Sequence, residues 1–407
     1  MVPEDVLDRA RNLLQRYRVC DHCLGRAFLE VDGRDNRERG EKIREALGLG
    51  ETPPEKCYFC RGLFSKIGEY AEKAEKGLRG YVFRTFRVGT HVPKDLIARE
   101  ELMWEVVGVK NTETIKKHVN REVGKRIKRA TGKEYDAESP DVEVLVDVEK
   151  DDVRVRSNPI YLYGRYRKYA EMPQSKWPCR YCGGRGCGKC EYTGRQWRES
   201  VEYYLSDVLL GVTGGRDTKL HAAGREDIDA RMLGTGRPFV IEIVEPRIRY
   251  GSWEWVRKEI NAYGEGKVEV LCLLPSDRKE VQELKSAEYK KTYRAVVECG
   301  REITGAELER LGSLKGAVVY QRTPERIRHR RGDALRKRKV LEIRWEPLGG
   351  RRFVLYITAD SGLYIKEFVS GDNGRTKPSV SEVLGTPCKV ARLDVMEVHG
   401  GRKCSGT

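Results

Sequence analysis

The chain has 407 residues and carries 79 lysines and arginines against 63 aspartates and glutamates, a formal net charge of +16. This length allows two or three domains, and the charge favours an acidic partner, most often nucleic acid, over a basic surface without one. No apolar run approaches membrane-spanning length and the N-terminus lacks a signal peptide's apolar region, so we expect a soluble, cytoplasmic protein without membrane association.

The N-terminal half shows helical periodicity followed by strand alternation. Apolar residues recur at helical spacing in the first 20 residues, and "EKIREALGLG" (41–50) predicts a second helix that a glycine ends. The basic stretch 111–132 predicts a third helix. Valines alternate with charged residues on both sides of "EKDD" in 141–164, which predicts two strands joined by a turn.

Residues 172–195 are rich in glycine, proline and cysteine, and we interpret them as a metal-bound linker at a domain boundary. Beyond them, strands alternate with shorter helices. The predicted strands are "PFVIEIVEPRIRY", "KVEVLCLL", "TYRAVVECG" and "FVLYITAD", and the predicted helices are "WEWVRKEINAYG" and "TGAELERLG". The most basic stretch is 322–339, which is either an RNA-contacting segment or a solvated loop or helix face.

Two groups of cysteines have the spacing of metal ligands. The first is C-x2-C-x33-C-x2-C, formed by Cys20, Cys23, Cys57 and Cys60. Two C-x-x-C turns complete a tetrahedral zinc site with no open position, so we assign this zinc to folding and not to catalysis. The alternative is two turns without metal.

The second group is C-x2-C-x4-C-x2-C, formed by Cys179, Cys182, Cys187 and Cys190. Its interspersed glycines let a short chain wrap an ion, and zinc is favoured over an iron–sulfur cluster because the chain shows no other redox signature. The remaining cysteines are interpreted as small buried or incidental residues; they are Cys272, Cys299, Cys388 and Cys404.

The stretch "HAAGREDIDARMLGTGRPF" (221–239) places three acids among arginines and glycines in a basic protein. From charge and glycine alone, an ordinary surface turn is the simpler interpretation. However, "GTGRPF" adds a second backbone-permissive loop, and an apolar strand follows. A carboxylate held ionised by arginines there can act as a nucleophile or a charge partner.

Several motifs together resemble a known enzyme family. "AGREDIDARMLGTGRPF" is similar to the signature of the tenth family of pseudouridine synthases, archaeal-type enzymes that modify positions 54 and 55 of tRNA. "KTYRA", "QRTPERIRHRR" and "LYIKEFVSGDNGRTKPSV" resemble further motifs of that family in the expected order. The basic helix and paired strands of residues 101–164, with "PIYLYGRYRKY" after them, resemble a THUMP RNA-binding domain, and the N-terminal cysteine pairs match the family's zinc module.

The resemblance implies an α+β protein. A zinc-binding module (1–65) and a THUMP-like domain (66–172) would precede a Cys-rich linker (173–195) and a catalytic domain (196–407) on a mixed, largely antiparallel sheet. The implied reaction isomerises uridine to pseudouridine in the TΨC arm of tRNA after the target base is flipped out. It needs structural zinc, no organic cofactor and no obligatory protein partner.

The resemblance also implies roles for individual residues. Asp227 matches the catalytic aspartate, with Asp229 as its rival, and Tyr293 matches an active-site tyrosine that can stack on uracil and help remove its C5 proton. Lys366 is the expected partner of Asp227, and Tyr364 would line the pocket. Arg225 would contact phosphate or fill the space of the flipped base.

Each of these roles has a plainer alternative. Tyr293 could be an ordinary core residue, Lys366 a solvated charge and Asp229 a capping residue. The basic helix 116–129 and the stretch 322–339 could hold tRNA phosphates or face solvent.

Two other functions stay open. One is a different THUMP-bearing tRNA modifier, although "GVTGGRD" (211–217) is a poor match to a cofactor-binding glycine loop. The other is a non-catalytic, zinc-dependent RNA-binding protein.

Overall fold

A computed structural model describes residues 2–329 and 332–404, which form two compact units. The first contains Met1–Asn158 together with Arg247–Tyr250, and the second contains Pro159–Pro246 and Gly251–Thr407. Arg330 and Arg331 of the predicted basic stretch lie outside the described residues.

The helices of the first unit each bury one face against a common core. Helix α1 (Glu4–Arg16) buries Val6, Ala10 and Leu13, as its periodicity predicts. The third predicted helix is capped by Thr114, whose side chain accepts a hydrogen bond from the main-chain N–H of Lys117. The other helices are α2 (Asp21–Ala27), α3 (Asn36–Ala46), α4 (Ile67–Leu78), α5 (Lys94–Val107) and α6 (Ile115–Thr131).

A small mixed sheet completes the first unit. Its strands are β1 (Thr85–His91), β2 (Glu134–Tyr135), β3 (Val142–Asp147) and β4 (Asp152–Ser157). They lie in the order β2-β1-β3-β4, with β3 and β4 antiparallel and the other neighbours parallel. The predicted strand–turn–strand at 141–164 is therefore confirmed for β3 and β4.

The second unit is built on a long mixed sheet. Its strands are β5 (Ile160–Lys168), β6 (Asp217–Ala222), β7 (Arg231–Val244), β8 (Val268–Ser276), β9 (Lys291–Cys299), β10 (Val318–Arg322), β11 (Leu335–Gly349), β12 (Arg352–Ala359), β13 (Thr376–Lys377) and β14 (Cys388–Val398). The order is β13-β10-β11-β12-β9-β14-β7-β5-β8, with β6 paired to β7. Within this sheet, as far as its residues are described, only β14 and β7 pair in parallel, so the predicted largely antiparallel sheet is confirmed.

Helices pack beside this sheet. They are α7 (Val201–Thr213), α8 (Trp253–Tyr263), α9 (Arg278–Ser286), α10 (Gly305–Glu309), α11 (Ile365–Ser370) and α12 (Val380–Leu384). The core between helices and sheet is rich in valine, isoleucine and leucine from the central strands. Helices α8 and α10 confirm the two helices predicted in this half of the chain.

The compact units divide at Asn158/Pro159, before the predicted boundary at 172. The reason is β5, which hydrogen-bonds to β7 on one side and to β8 on the other. The Cys-rich segment 173–195 consequently lies inside the second unit, between β5 and α7.

The scattered cysteines are buried, as expected, but they are not incidental. Among the described residues, Cys272 forms a disulfide with Cys404 and Cys299 forms one with Cys388. Cys299 and Cys388 are directly opposite each other on β9 and β14. Because 89 positions separate the two cysteines in the chain, no local spacing in the sequence indicates that they pair.

The helices described in the structure include none that is long and apolar enough to span a membrane.

Candidate active site and metal centres

The acidic stretch forms a turn between β6 and β7. Gly224 has a φ of +75°, and the main-chain N–H of Ala230 donates to the carbonyl of Asp227 at 3.2 Å. The "GTGRPF" segment is not a separate loop as predicted, because it lies within β7. Its Gly234 still needs a positive φ of +51°, since a Cβ there would lie 1.9 Å from the carbonyl oxygen of Met396.

Two cations meet the carboxylates of this turn. Arg326 Nη2 lies 2.9 Å from Asp227 Oδ2, and Lys366 Nζ lies 3.4 Å from the same oxygen. Lys366 donates hydrogen bonds to both oxygens of Asp229, at 2.8 and 2.7 Å. Arg326 also donates to the buried carboxylate of Glu367 at 2.7 Å. Asp227 thus belongs to a charge network in which Arg326 is its closer partner.

The electrostatics of these groups follow from their partners. Burial by itself would raise the pKa of Asp229, but the Lys366 ammonium outweighs it and lowers that pKa. Burial opposes the charge of Arg326, but Glu367 and Asp227 raise its pKa well above the ordinary value. The Asp227 side chain keeps 37% of its surface exposed, so the carboxylate remains within reach of a ligand.

A second, buried layer of charge lies beneath the turn. The Glu226 side chain is 1% exposed and accepts hydrogen bonds from Arg237 Nε at 2.8 Å and from the Tyr166 hydroxyl at 3.0 Å. Arg237 on β7 and Tyr166 on β5 are directly opposite in the sheet register. Burial would lower the pKa of Arg237, but the Glu226 carboxylate raises it. Glu226, the first acid of G-R-E-D, is therefore an anchor that fixes the turn to the sheet.

Lys168 connects this buried layer to the backbone of the turn. Its Nζ is fully buried and lies 3.8 Å from Glu226 Oε1. It donates to the carbonyls of Asp227 at 3.0 Å, Ile228 at 3.1 Å and Met172 at 2.9 Å. Burial lowers the pKa of Lys168, and the Glu226 carboxylate partly opposes that shift. Three carbonyl contacts from one ammonium set the path of the chain through Asp227.

Tyr293 lies on β9 in the buried core and is 8% exposed. Burial raises the pKa of its phenol to about 12, and Arg237 partly opposes that shift. On the same strand, Lys291 donates to Ser361 Oγ at 3.2 Å. Burial, followed by the charge of Arg237, lowers the pKa of Lys291 to about 8.

The two remaining predicted residues lie at the edge of the site. Tyr364 is half-buried at the start of α11, and its main-chain N–H donates to Gln321 Oε1 at 2.8 Å. Arg225 is exposed on the turn, two residues before Asp227. Tyr364 lies two residues before Lys366 in the sequence, and the Arg225 side chain faces solvent.

Both groups of cysteines fit a tetrahedral ion. Within each group the four Sγ atoms lie within 4.8 Å of one another, and the structure describes both groups completely. A Zn–S bond of about 2.3 Å places the sulfurs of a tetrahedral site about 3.8 Å apart. Cys20 and Cys60 are separated by 3.7 Å, and in the second group the separations are 3.7, 3.9 and 4.0 Å. Four cysteine sulfurs with these spacings could hold one metal ion in each group.

Comparison with known proteins gives matches in both units. The family profile described as "Pus10, C-terminal" matches residues 161–399, and that of "Pus10 THUMP domain, archaeal" matches residues 70–147. The first match alone covers more than half of the chain. The chain belongs to the Pus10 family. The family predicted from the motifs and the presence of a THUMP domain are therefore confirmed.

Several full-length relatives of the Pus10 family are named tRNA pseudouridine synthases. The relative from Methanothermobacter marburgensis is 44% identical, covering 94% of this chain and 95% of its own length. The relative from Methanopyrus kandleri is 39% identical over 96% and 98% of the two chains, and that from Pyrococcus furiosus is 39% identical over 97% and 98%. A solved Cbf5–Nop10–Gar1 complex aligns over 58% of this chain and 48% of the matched chain, at 14% identity and a TM-score of 0.33.

The sequence does not single out three side chains of this charge network. In the sequence Arg326 is one cation of a basic stretch, and Glu226 is one of three acids in a turn. Lys168 carried no signal at all, since it ends a strand that was assigned to a different domain. The "RTPERI" motif could have pointed to Arg326, but the burial of Glu226 and Lys168 follows from strand register.

Proposed function

We propose that this protein isomerises uridine to pseudouridine at position 54, position 55 or both in the TΨC arm of tRNA, with Asp227 as the nucleophile. As a member of the Pus10 family the chain is a tRNA pseudouridine synthase, and its relatives carry that name along nearly their whole length. The position of Asp227 supports its role as the nucleophile. Its carboxylate is accessible, lies on a turn that is held by buried charges, and faces Arg326.

The reaction leaves the atom count of the base unchanged. The Asp227 carboxylate attacks C1′ of the flipped nucleoside, and an O–C1′ bond forms as the C1′–N1 bond breaks. The uracil then rotates, C5 bonds to C1′ and the bond from Asp227 to C1′ breaks, while C5 loses its proton and N1 gains one. No electrons are transferred to another molecule, which is why we propose that no organic cofactor takes part.

We assign different roles to the groups around Asp227. Arg326 and Lys366 aim its Oδ2 and balance its charge as the phosphates of the RNA approach. Tyr293 stacks on the uracil. Because its pKa is raised to about 12, the neutral phenol dominates at physiological pH, which favours stacking over proton abstraction by this group. Tyr364 lines the pocket, and exposed Arg225 contacts phosphate or fills the vacated stack.

The rest of the charged surface holds the tRNA. Helix α6 presents Lys116, Lys117 and Lys125 to solvent, and phosphate contacts of this kind position an RNA without reading its sequence. We assign zinc to both cysteine groups, where it would stabilise the fold. We also propose that the protein acts in the cytoplasm without an obligatory protein partner.

The test is pseudouridine formation on an unmodified tRNA transcript, mapped by position, using the purified chain alone. Asp227→Ala should bind tRNA as the wild type does and form no pseudouridine, while Asp229→Ala should keep measurable activity. Equal activity of wild type and Asp227→Ala would remove Asp227 from the mechanism. Binding without modification by the wild-type chain would favour a non-catalytic RNA-binding protein.

A further inference from the structure

The segment 177–198, here named the cysteine ribbon, is a small structure with almost no apolar core. Pro178 bridges to Arg195, and the main-chain N–H of Cys179 donates to the carbonyl of Gly194 at 2.8 Å. Gly194 has a φ of +69°, and a Cβ there would lie 2.3 Å from the carbonyl oxygen of Gly184. Four sulfurs and tight glycine turns therefore hold the ribbon together.

Each of its two cysteine turns exposes a tyrosine. Tyr181 lies inside the first C-x-x-C turn and is 78% exposed, and Tyr192 lies just after the second and is 81% exposed. Within the described residues these are the two most exposed large hydrophobic side chains. A single exposed apolar side chain is ordinary, but two exposed tyrosine rings within the twelve residues 181–192 form a surface that can bind a partner.

The same segment is strongly basic. It contains five cations, Arg180, Arg185, Lys189, Arg195 and Arg198, against a single acid, Glu191. Glu191 is already ion-paired with Arg198, so four cations remain in excess. Cations that alternate with exposed rings are the residue combination that binds unpaired nucleotides, since the cations contact phosphates and the rings stack on bases.

The chain just before the ribbon is hydrogen-bonded to the turn that carries Asp227. Gln174 Nε2 donates to the carbonyl of Gly224 at 3.1 Å and to the Tyr166 hydroxyl at 2.7 Å. Cys179 lies five positions after Gln174, and an extended chain of that length spans at most about 18 Å. Nucleotides held by the first turn of the ribbon are thus within a few nucleotide lengths of Asp227.

We propose that the cysteine ribbon is an RNA-binding element that stacks Tyr181 and Tyr192 on unpaired nucleotides of the tRNA close to the target uridine. The inference rests on the proposed function for the identity of the RNA. The ribbon contributes affinity and placement and takes no part in the chemical step. The excess of cations argues against a basic protein segment as its ligand.

The test compares tRNA binding by three forms of the full chain. The Tyr181→Ala/Tyr192→Ala double variant lacks both rings, the Tyr181→Phe/Tyr192→Phe variant keeps them, and Trp255→Ala removes an exposed aromatic of α8 as the matched control. Loss of one base stack reduces affinity by about 5- to 100-fold, so we expect the Ala pair to bind tRNA about 25-fold or more weakly. The Phe pair and the control should bind as the wild type does.

Further measurements separate stacking from other effects. The Ala pair should keep the wild-type metal content, and its salt dependence of binding should be unchanged, because no phosphate contact is lost. Its single-turnover rate at saturating enzyme should equal that of the wild type.

Wild-type affinity of the Ala pair would overturn the proposal, as would equal weakening of the Ala and Phe pairs. A lower saturating rate at unchanged affinity would also overturn it. The absence of pseudouridine with the wild-type chain would instead refute the proposed function. The comparison of tRNA affinities would still test whether the ribbon binds RNA.

Discussion

Replacement of Lys168 by methionine tests whether a buried ammonium sets the position of the turn that carries Asp227. Methionine keeps the length and apolar stem of the side chain but removes the donor that reaches the carbonyls of Asp227, Ile228 and Met172. It also leaves Glu226, which is 1% exposed, with one cation instead of two. Because Lys168 is fully buried, water does not readily take the place of the ammonium.

The size of the effect follows from these contacts. Each hydrogen bond from a charged donor is worth about 1.5–3 kcal/mol, but the desolvation that lowers the pKa of Lys168 offsets part of their sum. Removing one partner of a buried ion pair costs about 3–5 kcal/mol. We therefore expect the free energy of unfolding of the second unit to fall by that amount in Lys168→Met. A shift of the turn by about 1 Å reduces the rate about 100-fold.

The assay combines denaturant unfolding with single-turnover pseudouridine formation. Lys219→Met is the matched control, because Lys219 is an exposed lysine on β6 whose ion pair with Glu242 is 2.9 Å long. A surface pair of this kind is worth at most about 1 kcal/mol, and the control should keep its rate. Wild-type stability and rate in Lys168→Met would refute the reasoning. Lower stability at an unchanged rate would show that Lys168 supports the fold but does not place Asp227.

Three further predictions concern other parts of the chain. Tyr293→Phe should keep its single-turnover rate within about threefold, because the ring is retained; a loss of about 100-fold or more would show that the hydroxyl takes part in proton transfer. The pKa of Lys291 is about 8 in the folded protein against an ordinary value of 10.5, so the folded state holds fewer protons between these pH values and its stability rises with pH. The free energy of unfolding of the wild type minus that of Lys291→Met should therefore increase by about 3 kcal/mol across this window, and a flat difference in denaturant titrations would contradict the assignment. Elemental analysis should find two zinc ions per wild-type chain and one in either Cys57→Ser or Cys187→Ser, with the larger fall in melting temperature in Cys57→Ser, whose site is more deeply buried; unchanged metal content in both variants would exclude these ligands.

Features that depend on local spacing were accessible from the sequence. Two thiols in a C-x-x-C turn face one ion wherever the turn lies, so both cysteine groups and their ligands could be identified. The alternation of valines in β3 and β4 and the apolar stripe of α1 likewise report local geometry. The motif around Asp227 was long enough to indicate the family, which the comparison confirmed.

Features that depend on strand pairing were decided by the tertiary structure. Glu226 is adjacent to Asp227 in sequence, yet the two carboxylates differ in exposure because β5 and β7 bring Tyr166 and Arg237 beneath the first of them. Arg326 reaches Asp227 across almost 100 residues of intervening chain.

The sequence alone indicated Asp227 as a candidate for the chemistry and eight cysteines as candidates for the metals, because charge and thiol spacing are local properties. Only the tertiary structure decided which acid is an anchor and which is accessible. Burial arises from long-range register, and a charge is stable in the interior only where other chain segments supply its partners.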